Sequence, residues 1–195
     1  MIKLPRGFYL YLGIAAVLGL GLLGLYLVGP RWLSTAPAAP TEQSAAPAAA
    51  PADARKIRAR LFYVDESGTG LMDSEQEVVY GQSTIEQAAR IVEAQLTAPP
   101  PPLVSAIPPG TTLRTLFVTA DGAAYVDLSA EAQKNHPGGT TNEILTVYSI
   151  VSALTTNLPA ITGVQILVEG HEVDTLAGHL DLRRPIEPDE RYAHR

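Results

Sequence analysis

Apolar residues are spaced differently in successive stretches of this chain, and each spacing implies an element. From Phe8 to Val28 no charge, proline, asparagine or glutamine interrupts the run. At about 1.5 Å of rise per residue, such a helix is ~31 Å long and spans a bilayer's hydrocarbon core. Beyond residue 54 the spacing is that of a folded domain. "KIRARLFYV" (56–64) alternates and is rich in β-formers, which predicts a strand. "DESGTG" predicts a turn, and "EQEVVYG" (75–81) a shorter second strand. In "STIEQAARIVEAQL" (83–96), Ser83 and Glu86 have capping-box spacing, and Ile85, Ala88, Ala89, Val92 and Leu96 fall on one helical stripe.

"TAPPPPLVSAIPPG" has too many prolines for a helix and reads as a stiff crossing loop. "TTLRTLFVTADGAAYVDLS" (111–129) predicts a hairpin with Asp121-Gly122 at its tight turn. A second helix follows "HPGG", with Thr140 and Glu143 as another capping box and Ile144, Val147, Tyr148, Val151, Leu154 and Leu158 on its buried face. "GVQILVEG" (163–170) is a buried strand and "HEVDTLAGHLDL" a short extended return. The order β-β-α-β-β-α-β defines an α+β layer: one mixed sheet with two helices on one face, preceded by a transmembrane helix.

The ends and the charge refine this picture. Tyr9, Tyr11, Tyr26 and Trp32 lie near the two ends of the apolar run, where interfacial aromatics belong. Lys3, Arg6 and the terminal amine precede it, which favours a cytoplasmic N-terminus and an exported remainder. A cleaved signal peptide would have a shorter apolar region, of about 7–15 residues. "STAPAAP" offers an Ala-x-Ala pattern, but the length of the run favours an uncleaved anchor. The expected organisation is a cytoplasmic N-terminus (1–7), a spanning helix (8–28), an Ala/Pro-rich linker (29–54), a globular domain (55–188) and a tail (189–195). The chain has no cysteine, which excludes disulfides, thiol catalysis and a lipid-attached cysteine. With Lys3 and Arg6 set aside, 12 basic residues face 20 acidic ones, a net −8 that argues against a nucleic-acid partner.

Candidate chemistry is sparse. "HPGGTTNEIL" (136–145) has the glycines of an anion-binding helix start, but Glu143 would repel an anion and the nearest base is Lys134 beyond Pro137. His171, Glu172, Asp174, His179 and Asp181 supply enough donors for zinc or manganese, provided the Ala177-Gly178 turn folds them together. Asp127 and Glu131 form a candidate carboxylate pair, equally readable as a strand end and a helix start. Lys56, Arg58 and Arg60 share one side of a strand, as a solvated edge or a contact for an acidic partner. The prolines at 99–102 suit a rigid loop or a polyproline II ligand. No nucleophile–base pair is legible, so no catalytic, cofactor or metal residue is assigned and no cofactor is expected.

"IPPGTTLRTLFVTADGAAYVDLS" and "GGTTNEILTVYSIVSALTTNLPAITGVQILVEGHEVDTLAGHLDLRRP" resemble the GerMN domain of bacterial sporulation and germination proteins. The resemblance extends upstream to the strand–strand–helix from about Arg58 to Leu96. It implies a non-catalytic extracytoplasmic α/β domain with no catalytic residues to carry over. One copy and a membrane helix distinguish this chain from its sporulation namesake. The function expected is a membrane-anchored interaction or assembly domain of the bacterial envelope, with a link to sporulation or germination. Its partners would be envelope proteins or further copies of itself. The alternatives are a metal-assisted envelope hydrolase and a cell-wall carbohydrate-binding module using Tyr125 or Tyr148.

Overall fold

The computed structural model describes residues 55–194, so the expected N-terminus, spanning helix and linker lie outside the described residues. Among the described residues no helix is long and apolar enough to cross a membrane. The elements are β1 (Lys56–Val64), β2 (Leu71–Val79), α1 (Thr84–Leu96), β3 (Leu113–Val118) and β4 (Ala123–Leu128), then α2 (Glu131–Lys134), α3 (Thr140–Asn157), β5 (Gly163–Val168), β6 (His171–Glu172) and β7 (Ala193–His194). The class is α+β as expected, with strands paired both parallel and antiparallel.

The single expected sheet is two among the described residues: β1-β2-β7 and β3-β4-β5-β6. The reason lies at the outer edge of β1, which is closed by side chains instead of a strand. Asn157, the last residue of α3, accepts from the Arg60 N–H at 2.9 Å and donates to its carbonyl at 2.8 Å. Gln95 of α1 does the same for Phe62, at 2.8 and 2.7 Å. A side-chain amide carries both a donor group and an acceptor, so it can take the place of a neighbouring strand residue's N–H and carbonyl. The next outward group, the Val64 N–H, donates to Val104 at 2.9 Å.

Helix α3 touches β1, β5 and α1. It is therefore buried on all sides through its middle, from Leu145 to Leu154, and not only along the one apolar face read from its spacing. Its hydroxyl residues survive burial by bonding within the helix: Ser149 donates to the Thr146 carbonyl at 2.8 Å and Thr155 to that of Val151 at 2.8 Å. The core gathers Leu61, Tyr63, Ile91, Val126, Ile150 and Ile166, all buried.

The β3–β4 turn is tighter in its demands than its sequence suggests. The Gly122 N–H donates to Thr119 and the Thr119 N–H to Ala123, with Gly122 at φ +91°, a three-residue loop closed by a glycine bulge. A Cβ on Gly122 would stand 2.7 Å from the Ala160 carbonyl oxygen. Residues 189–194, set apart above as a tail, return to the domain. Ala193 and His194 pair in parallel with Leu71 and Met72, and Tyr192 packs on Tyr148 with ring centroids 4.7 Å apart.

Candidate functional site

The turn before α3 starts the helix, but not by the expected cap. Gly138 and Gly139 hold φ of +80° and +85°, and Gly139 is itself the N-cap residue. Thr140 is thereby the first helical residue, one position too late for its hydroxyl to cap. Glu143 does not fold back on the helix start either. Its side chain is wholly buried and turns to the loop after β6. Oε1 accepts from the Leu176 N–H at 2.7 Å and the Ala177 N–H at 2.9 Å. Oε2 accepts from the His179 N–H at 2.8 Å and lies 3.1 Å from the His179 Nδ1. Burial alone would raise this carboxyl, but the N–H groups of Ala177, His179 and Leu176, with the imidazole, together hold it below its usual 4.5. By contrast, Ser83 does cap its helix: its hydroxyl accepts from the Glu86 N–H at 3.1 Å, while Glu86 reaches back past Ser83 to the Gln82 N–H at 2.9 Å.

His136 lies close by in a neutral form. Its Nδ1 accepts from the Gly138 N–H at 3.0 Å, which leaves the proton on Nε2 to meet the Thr146 hydroxyl at 3.2 Å. Burial lowers its pKa from 6.5, against the smaller opposing pull of the Glu143 carboxylate. The Thr146 hydroxyl is within 2.7 Å of the Ala106 carbonyl, so loop, turn and helix meet at one polar knot. A groove of about 360 Å³ opens beside it, between Val104, Ala106, Pro109, Pro137 and Leu145. The half-exposed His179 imidazole is held through Nδ1 against the Glu143 carboxylate. Among the described residues no hydroxyl is hydrogen-bonded to it.

The candidate metal ligands disperse. His171 and Glu172 lie exposed on β6, His179 turns to Glu143, and Asp181 pairs with Arg183 at 2.7 Å. Among the described residues no three His, Cys, Asp or Glu side chains converge. Asp127 and Glu131 take separate partners. Asp127 is buried, accepting from the Gly170 N–H at 2.7 Å and from Arg114 at 3.1 Å. The Ser129 hydroxyl holds Glu131 below its usual value. Lys56, Arg58 and Arg60 are matched within the chain, to Glu77 at 2.9 Å, Glu75 at 3.5 Å and Asp73 at 3.5 Å. The prolines at 99–102 enter a turn closed by the Leu103 N–H on Pro100. Tyr148 is buried against Tyr192, while Tyr125 is half-buried beside Phe117, which is 60% exposed.

Sequence reasoning passes over Gln95, Asn157 and the true role of Glu143. A signal exists for two of them. Gln95 and Glu143 sit in register with Ile91 and Val147 on otherwise apolar faces, and a polar residue there marks a buried hydrogen bond.

The family model described as "Sporulation and spore germination" matches residues 60–174, and the chain belongs to this Germane, or GerMN, family. No curated protein matches. Among solved structures, the chain is similar to a candidate lipoprotein from Clostridium perfringens, with 24% identity over 69% of this chain and 89% of that one, at a TM-score of 0.50. It is also similar to the tandem GerMN domains of the sporulation protein GerM from Bacillus subtilis, with 20% identity over 69% of this chain and 46% of that one, at 0.50. This chain spans about half the length of that tandem protein.

Proposed function

We propose that this chain is a non-catalytic protein-interaction or assembly domain, held outside the cytoplasmic membrane of a bacterium by its N-terminal helix. Family membership supports a role connected with sporulation or germination, and the uninterrupted run from Phe8 to Val28 supports the anchor. One observation carries the interaction reading: Phe117 stands 60% exposed on β3, at the edge of its sheet. A large apolar side chain on an unpaired strand edge is a template for another chain. Of the polar side chains that suggested catalysis, His179 is bonded to Glu143, Asp127 to Gly170 and Arg114, and Asp181 to Arg183.

The test is crosslinking in cells with the full chain, followed by fractionation. The chain is expected in the membrane fraction with a defined crosslinked protein, either another envelope protein or itself. Recovery in the cytosolic fraction would refute the anchor. Absence of any crosslink from surface positions around Phe117 would refute the interaction.

A further inference from the structure

The sheet edges are not equivalent, and their differences single out β3. The outer edge of β1 is closed by Asn157, Gln95 and Val104. Among the described residues that of β2 is covered by β7 at Leu71 and Met72, and beyond them it carries Asp73, Glu75 and Glu77. A second β2 laid there would set like charges opposite one another. β6 is two residues long.

On β3 the Thr119 N–H donates to Ala123, and Phe117 lies opposite Tyr125. Hydrogen bonding alternates along a strand, so Thr115 and Phe117 also bond toward β4. The backbone groups of Leu116 and Val118 therefore point away from the sheet, where no further strand lies among the described residues. From Thr115 to Thr119 the strand carries no charge, and Thr115, Phe117 and Thr119 are exposed.

We propose that β3 pairs with the β3 of a second copy of this chain, antiparallel about a twofold axis at Phe117; this rests on the assembly reading above. The register is set by the outward-pointing backbone groups of Leu116 and Val118, on a strand whose inner face packs against α1. Leu116 of each copy exchanges hydrogen bonds with Val118 of the other, and the two Phe117 residues form a non-hydrogen-bonded pair whose Cα atoms are about 4.5 Å apart. Such pairs bring side chains closest, so each exposed phenyl ring covers the other. Thr115 then lies opposite Thr119 of the second copy, and Arg114, already paired with Asp127 of its own chain, ends near the acidic Asp121 turn of the other. The edge is self-complementary, as a twofold contact requires.

The chain has no cysteine, so single cysteines report the register in full-length protein in its membrane. A disulfide needs Cα atoms about 4.4–6.8 Å apart, which the 117 pair satisfies. On mild oxidation Phe117→Cys is expected to form a dimer at least about tenfold above Ile85→Cys, an exposed position on α1. Thr115→Cys alone should not, but mixed with Thr119→Cys it should, and this pair retains Phe117. Dimer from Phe117→Cys no greater than from Ile85→Cys, or Thr115→Cys bonding to itself as readily as to Thr119→Cys, overturns the proposal. Capture of a different protein at these positions overturns the second copy as occupant, yet leaves the interaction reading standing. Cytosolic recovery sinks the anchor instead.

Discussion

Glu143→Gln preserves the size of the side chain while removing its charge and one of its two acceptor oxygens. The remaining oxygen can keep the Leu176 and Ala177 N–H groups, now at 2.7 and 2.9 Å. The new amide then points its own N–H at the His179 N–H, where an acceptor stood at 2.8 Å. A hydrogen bond to a charged group contributes about 1.5–3 kcal/mol, and a buried donor left without a partner costs about 1–3 kcal/mol. Since the His179 imidazole can turn tautomer and accept from the new amide, the expected loss is about 2–4 kcal/mol. That is a large part of the ~5–15 kcal/mol typical of a domain. Urea denaturation near neutral pH measures it, and amide exchange at Leu176, Ala177 and His179 locates it. The pH dependence has a definite sign. Because the folded carboxyl is held below 4.5, its contribution is complete above that value and is lost as pH falls through the folded pKa. The gap between parent and variant should therefore close only in acid. A difference below about 0.5 kcal/mol at neutral pH, with those amides still protected, would refute the assignment of Glu143 as the anchor of this loop.

Gln95→Ala should cost about 2–4 kcal/mol by leaving the Phe62 N–H and carbonyl without their bonds of 2.8 and 2.7 Å; denaturation within 0.5 kcal/mol of the parent would mean that water replaces the amide. Gly122→Ala combines a left-handed φ of +91° with a Cβ 2.7 Å from the Ala160 oxygen, so a loss of at least about 2 kcal/mol is expected in thermal melts. Both Ile166→Lys and Gln165→Lys should unfold the domain by circular dichroism, because Ile166 is 0% and Gln165 only 3% exposed; a folded Gln165→Lys would show that this face yields to solvent. Arg58→Ala, at a pair whose side chains are 82% and 57% exposed, should change stability by less than about 0.5 kcal/mol, and a larger, salt-sensitive loss would reveal a cooperative ladder along β1 and β2.

Local pattern determined much of this protein. Alternation placed β1 and the β3–β4 hairpin, and the Ser83–Glu86 spacing placed the start of α1. The apolar run Gly163–Val168 announced a buried strand whichever sheet received it. These features depend on residues a few positions apart, whose periodicity is written in the chain itself. Tertiary structure decided how the elements meet. Whether one sheet or two would form turned on Gln95 and Asn157 reaching β1 across 33 and 97 positions of sequence. The Thr140–Glu143 spacing matches a capping box as well as Ser83–Glu86 does, yet Gly139 shifted the helix start and three N–H groups of a loop 33–36 residues away claimed the carboxylate. Gln165 is the polar residue within this apolar strand, and the fold buries it as well. A hydrogen-bonding side chain has the same identity in a cap, a clamp or a knot. Which it becomes depends on the donors and acceptors that distant chain brings within about 3 Å, and spacing along the sequence does not encode that.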